Sequence, residues 1–144
     1  MSTATLIIRI ADDRDIARIK SYQEEALLDN INAAVYRVHL VIAEEDGEFR
    51  GYLQYGLYKN DIPYIHKLYV TPDHRGTGYA GIIIEEWEEL MRQNGYSRVM
   101  LSVSSANSAQ NFYRLMGYRD IGSITLPGEP LDMIMLKDLE DAQG

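Results

Sequence analysis

The chain has 144 residues, the size of a single domain spanning 1–144, with no cysteine and a formal net charge of −8 from 14 basic and 22 acidic side chains. The lack of cysteine excludes disulfides, thiolate nucleophiles and cysteine-ligated metals together. The negative surplus speaks against nonspecific binding to nucleic acid or an anionic membrane and favours a cationic partner such as a protonated amine, although acidic surfaces also simply keep proteins soluble.

The start, Met1 to Arg9, has neither a basic region nor a long apolar core, so it does not read as a secretory signal and a cytoplasmic location is expected. No apolar run approaches the length of a membrane span. Thr5 to Ile10 reads as a strand. Asp12 or Asp13 can cap a helix carrying Ile16, Ile19, Gln23 and Ala26 to Leu27. A loop or short second helix follows at about Asn30 to Tyr36. Val38, Leu40 and Ile42 alternate as a strand, Asp46-Gly47 is a hairpin turn, and Phe49, Gly51, Leu53, Tyr55 and Leu57 form the partner. Lys59-Asn60-Asp61 turns the chain into a strand over Ile65 to Val70.

Ala80, Ile83, Ile84, Trp87 and Met91 recur as one face of a helix; Glu85, Glu86, Glu88 and Glu89 are assigned to its exposed face. Arg98 to Val103 reads as a strand. Asn107 to Gly117 reads as a short helix with Ala109, Phe112, Tyr113 and Met116 on one face. Two strands close the chain, Tyr118 to Ile124 and Leu131 to Leu136, with Pro127-Gly-Glu-Pro130 between them. The order β-α-β-β-β-α-β-α-β-β predicts an α/β (α+β) fold: a mixed sheet with helices on its faces.

The most informative stretch is Val70 to Ala80, a strand end, a glycine-bearing turn and a helix start. Gly76 and Gly78 let a ligand approach the backbone with no Cβ in the way. The first N–H groups of the helix lack internal acceptors, and its dipole favours negative charge there. A phosphate-bearing ligand fits such a loop; so does a plain strand-to-helix connector. No Gly-Lys pair exists, which excludes a Walker A loop. Gly76, Gly78 and Gly81 do spell G-x-G-x-x-G, but no βαβ unit precedes them and no acidic residue ends the following strand at Leu101 to Val103, against a dinucleotide fold.

Two segments carry a resemblance. Arg75, Gly78 and Ala80 match [QR]-x-x-G-x-[GA], and the stretch is similar to the acetyl-CoA pyrophosphate loop of the GNAT superfamily of N-acetyltransferases. Asn107, Ala109, Phe112, Tyr113, Gly117 and Tyr118 resemble that family's second signature. The close likeness covers Ile65 to Tyr118. It implies a mostly antiparallel central sheet whose two middle strands splay to admit the cosubstrate, with helices on both faces. It also implies transfer of acetyl from acetyl-CoA to a primary amine through a tetrahedral intermediate, with no covalent enzyme intermediate. Cosubstrate contacts are implied at Leu68, Tyr69 and Val70 on the strand, at Arg75, Gly76, Thr77, Gly78, Tyr79 and Ala80, and at Asn107 and Tyr113.

Acetyl transfer needs a neutral amine, a donor for the oxyanion and a proton for the leaving thiolate. The resemblance places the backbone N–H near Leu68 at the thioester oxygen and makes Tyr113 the thiolate acid. Tyr113 can also be core, since it shares the apolar face of its helix. A glutamate base is common in the family where His66 stands here. An imidazole suits proton removal near neutrality, yet His66 can equally be packed in the sheet, with a water chain as base. Asn107 reads as a helix cap or as an amide contact to the pantetheine arm. Arg114 reads as a contact to outer phosphates or as a solvated helix residue. His39 and His74 read as structural or exposed, and three scattered histidines suggest no metal site.

The resemblance implies that the amine acceptor, a small molecule or peptide, lies against residues 27–36 and 125–131, with Tyr36, Tyr55 and Glu129 as candidates whose other reading is core or surface. No nucleic-acid or membrane partner is expected, and a homodimer is compatible with the family. The alternative function is a noncatalytic acyl-CoA-binding module or sensor on the same fold, and a third reading is a nucleotide-binding protein.

Overall fold

A computed structural model describes residues 6–21 and 39–139. Thr5, Gln23, Ala26, Leu27, the segment 30–36, Val38 and the side chain of Ile16 lie outside the described residues. The described elements run β1 (Ile7–Ile10), α1 (Arg14–Lys20), β2 (Leu40–Glu45), β3 (Glu48–Tyr58), β4 (Ile62–Val70), a 3₁₀ turn (Pro72–His74), α2 (Tyr79–Gln93), β5 (Arg98–Ser104), α3 (Ala109–Leu115), β6 (Arg119–Ile124) and β7 (Asp132–Asp138). Their order is the expected one. The seven strands form one mixed sheet in the order β1-β2-β3-β4-β5-β7-β6. The β1–β2, β2–β3, β5–β7 and β6–β7 pairs are antiparallel and β4–β5 is parallel.

The chain groups into two compact units. The first holds the residues up to Tyr55 together with Lys67–Trp87. Its core gathers Ala11, Ile19, Leu40, Ile42, Phe49, Tyr52 and Tyr69, with the Tyr69 ring stacked between Tyr52 at 5.6 Å and Phe49 at 6.5 Å. Tyr52 departs from the alternation expected of β3, which places Phe49, Gly51 and Leu53 inward. The ladder pairs Ala43 with Gly51 but Glu44 with Phe49, so Arg50 is an extra, bulged residue. Tyr52 is fully buried as a result, and its hydroxyl has no hydrogen-bond partner among the described residues. Burial pushes that hydroxyl well above the ordinary tyrosine range.

Of the two candidate caps of α1, Asp12 supplies the carboxylate, accepting the Arg14 N–H at 3.1 Å, while Asp15 reaches back to the Asp12 N–H at 2.8 Å. Asp15 has 0% exposure. It also accepts Arg9 through two nitrogens, at 2.9 and 2.8 Å, and Arg18 at 3.3 Å; both arginines reach on to Glu44. Burial alone raises the Asp15 pKa, but the bonds from Arg9 and the Asp12 N–H outweigh it and hold the carboxyl below the usual range. A depressed folded pKa gives stability that is present above the unfolded value near 3.9 and lost as pH falls through the folded one. Asp15→Asn is expected to cost about 2–3 kcal/mol near neutrality, because two guanidinium groups lose one of the two carboxylates they share and keep only Glu44. Urea melts at pH 7 and pH 3 check this: the gap between wild type and variant narrows in acid.

The second unit holds Gly56–His66 and the residues from Glu88 onward. Val99, Leu101 and Met135 are buried within it. The β5–β7 ladder runs the full length of both strands, from Arg98↔Asp138 to Ser104↔Asp132. The β4–β5 ladder is short by contrast. It comprises Tyr64↔Met100 and Ile65↔Leu101, although β4 continues to Val70 and β5 to Ser104.

Candidate active site

In the first unit, β4 ends in a loop locked by its own polar atoms. The Thr71 N–H donates to the carbonyl of the bulged Arg50 at 2.8 Å. Thr71 Oγ1 and His74 Nδ1 share a 2.9 Å hydrogen bond, and Thr77 Oγ1 donates to the His74 carbonyl. The His74 ring stacks on Tyr79 at 5.7 Å and 12°. The Tyr79 hydroxyl donates to Glu45 at 2.7 Å, whose other oxygen takes Arg50 Nε at 3.1 Å. His74 is thus structural, as one sequence reading had it.

Gly76 and Gly78 have φ of +77° and +89°, and a Cβ at either would meet nothing within 4 Å. Only glycine takes such values without strain, and the space beside each stays open. The first α-type bond of α2 runs from the Ile82 N–H to the Gly78 carbonyl at 3.2 Å, so the N–H groups ahead of it have no intrahelical acceptor. Arg75 donates from Nε to the Val70 carbonyl at 2.8 Å and lies 5.3 Å from the centre of the Tyr69 ring. Tyr69, Val70, Arg75, Gly76, Thr77, Gly78, Tyr79 and Ala80 are therefore gathered at one strand-to-helix junction, with half-buried Leu68 directly before Tyr69 on β4. That junction presents backbone donors and a guanidinium, the chemistry a phosphate takes.

In the second unit, His66 is exposed, with its imidazole edge-on to Tyr64 at 5.7 Å and 83°. A Cβ at Gly56 would stand 3.0 Å from His66 Nε2, so a glycine there makes room for the ring. His66 lines a cavity of about 730 Å³.

Helix α3 supplies the other two predicted residues. Asn107 is exposed, and its Oδ1 accepts the Ala109 N–H at 2.9 Å, so the capping reading holds for that oxygen. Tyr113 is half-buried, with ring contacts to Phe112 at 5.4 Å and Tyr118 at 6.1 Å. Burial raises its hydroxyl above the ordinary value. The spacing from Tyr113 to Gly117 and Tyr118 has a backbone cause. Gly117, at φ +103°, ends α3; its N–H reaches the Arg114 carbonyl and the Tyr118 N–H the Tyr113 carbonyl, both at 3.0 Å. This is a Schellman closure, and it ties the Tyr113 backbone to Tyr118. Arg114 is engaged in an exposed two-point pair with Asp120 at 3.0 and 2.9 Å.

The structure corrects the reading of Glu88. Glu85 and Glu86 are exposed, but Glu88 is 5% exposed. It accepts the Tyr118 hydroxyl and Lys137 Nζ, both at 2.8 Å. Glu88 lies four residues after Ile84 and three before Met91, both buried, so the helical stripe itself carried the signal. Lys137→Met leaves this carboxylate buried without its cation and is expected to cost about 3 kcal/mol. A thermal melt of Lys137→Met with Glu88→Gln, which removes both charges, is expected to recover most of that loss.

Among the acceptor candidates, Tyr55 packs edge-on against Trp87 at 5.6 Å and beside His39 at 5.3 Å. Glu129 is exposed, and Tyr36 lies outside the described residues. Sequence reasoning missed the aromatic and aliphatic wall of the large cavity, notably Tyr58, Tyr64, Ile121 and Ile124. No cluster of three or more metal-ligating side chains occurs among the described residues, and no helix among them is long and apolar enough to cross a membrane.

The model of the acetyltransferase (GNAT) family matches residues 7–118, and the chain belongs to that family. It is 27% identical over 129 residues to a thialysine N-epsilon-acetyltransferase of Bos taurus, covering 81% of this chain and 76% of that one. The fold is similar to that of Ard1 from Thermoplasma volcanium, with a TM-score of 0.76 at 16% identity over 94% of this chain and 99% of that one. It is also similar to N-acetylglutamate synthase from Neisseria gonorrhoeae, solved with coenzyme A and N-acetyl-glutamate, with a TM-score of 0.75 at 20% identity over 96% of this chain and 36% of that one.

Proposed function

We propose that this protein transfers the acetyl group of acetyl-CoA directly to a primary amine. The observation that carries the reading is the junction at Arg75 to Ala80, where two left-handed glycines open α2 and the Arg75 guanidinium is fixed by the Val70 carbonyl and the Tyr69 ring. In this reading the loop N–H groups and Arg75 hold the pyrophosphate, and Leu68 offers its backbone N–H to the developing oxyanion. His66 takes a proton from the acceptor ammonium, and Tyr113, kept protonated by burial, gives one to the departing thiolate. Asn107 Oδ1 is spent on the cap, which leaves its NH₂ for the pantetheine arm.

Calorimetry with acetyl-CoA, followed by thiol release across a panel of amines that includes thialysine, tests this. The chain has no cysteine, so every thiol detected comes from coenzyme A. Binding with amine-dependent release is expected. Binding without release from any amine would favour the noncatalytic sensor, and no binding of acetyl-CoA, CoA or a longer acyl-CoA would remove the proposal.

A further inference from the structure

The 730 Å³ cavity lies wholly within the second unit, and its size suits a small organic ligand. Its wall is apolar and aromatic. Tyr58 and Tyr64 stack at 6.3 Å and 26°, and Ile121, Ile124 and Ile134 stand on β6 and β7. Its charged wall residues are Lys59 and Arg98, both cations, with no carboxylate among the described ones. This is the reverse of the chain's net charge of −8.

Lys59 and Arg98 differ from most basic residues of the chain. Arg9, Arg14, Arg18, Arg50, Arg92, Arg114, Arg119 and Lys137 all sit in ion pairs. Neither Lys59 nor Arg98 forms an ion pair with a described residue. Lys59 Nζ lies over the Tyr58 ring at 5.7 Å. Arg98 also borders a smaller hollow containing Asp61 and Asp138, without an ion pair to either.

Position along the strands sets the distance between the cations and His66. Lys59 belongs to the turn that precedes β4, where Lys59 and Asn60 have φ of +52° and +59°. Two residues before the Tyr64↔Met100 pair stand Ile62 and Arg98, so both cations sit at the start of β4 and β5. His66 is four residues beyond Ile62, about 13 Å along a strand.

We infer that this cavity is the acceptor pocket, and that it takes an elongated amphiphilic amine whose amino group lies at His66 and whose carboxylate lies at Lys59 and Arg98, with an apolar body between them. This rests on the acetyl-transfer reading. The chain thus selects its acceptor by a charge remote from the reacting nitrogen, and a short amino acid cannot reach both ends.

The test compares ω-aminooctanoate and ω-aminoundecanoate with their methyl esters, and γ-aminobutyrate with its own ester, by thiol release. For the long acids kcat/KM is expected to exceed that of the ester by about tenfold, the value of one charge-assisted contact; for the short acid the ratio stays near one. Lys59→Met with Arg98→Met is expected to bring the long acids down to the ester level. Equal rates for long acid and ester, an equal preference in the short pair, or a preference that survives the double substitution would overturn the inference while leaving acetyl transfer intact. Calorimetry of the same acids and esters without acetyl-CoA reads the cavity alone. Tighter binding of the long acid supports the class of ligand assigned to the cavity even where acetyl-CoA fails to bind and acetyl transfer falls, and equal binding overturns the inference.

Discussion

Tyr113→Phe is expected to lower kcat by about 10²-fold or more while changing the affinity for acetyl-CoA by no more than about twofold. The substitution keeps the ring and with it the contacts to Phe112 and Tyr118. It removes only a hydroxyl that burial holds in its protonated form. Because the folded pKa lies above the ordinary value near 10, this group donates throughout the neutral and mildly alkaline range, and its ionisation does not shape the pH profile there. Steady-state kinetics and calorimetry on the same preparation separate the outcomes. A loss of kcat at unchanged binding assigns the proton to Tyr113. Unchanged kcat makes Tyr113 a packing residue, and a matching loss of affinity would mean that the hydroxyl serves binding instead.

Gly51→Ala is expected to be strongly destabilising for a change of a single methyl group. A Cβ there would lie 2.2 Å from the Tyr69 carbonyl oxygen and 3.2 Å from Val70 Cα. Both are backbone atoms, so relief requires β3 and β4 to move apart rather than a side chain to turn. Overpacking of this kind costs about 3 kcal/mol, roughly 10 °C in Tm for a chain of this size. The displaced strand also carries Tyr69 and Val70, on which Arg75 rests. Loss of acetyl-CoA affinity should therefore accompany the loss of stability. Gly122→Ala is the control, since a Cβ there meets nothing within 4 Å. A Gly51→Ala protein that melts within about 2 °C of wild type would show that the strands yield freely, against the rigidity assumed here.

The parts of this molecule legible in its sequence are those in which cause and effect lie close along the chain. The turns at Asp46-Gly47 and Lys59-Asn60, the stripe of Ile83, Ile84, Trp87 and Met91, and the glycine loop before α2 are local, and each is found where the residues place it. Glu88 falls on the buried stripe by its spacing, but the partners that let a carboxylate sit there, Tyr118 and Lys137, lie 30 and 49 residues away. Tyr52 was missed because a bulge at Arg50 resets the alternation, and no residue type announces a bulge. The large cavity was unreadable for a related reason. Its wall is assembled from β3, β4, β5, β6 and β7, and residues such as Ile121 and Ile124 look like ordinary strand residues until β6 takes its place at the sheet edge.

Leu115 stands 89% exposed on α3, two residues beyond Tyr113, in a chain with no native thiol. Leu115→Cys would therefore create a single accessible attachment point, and an exposed thiol reacts readily in its thiolate form. A maleimide-linked, environment-sensitive fluorophore at that position would sit on the same short helix as the proposed acid. Its emission would follow ligand arrival in real time with no competing label anywhere else in the protein.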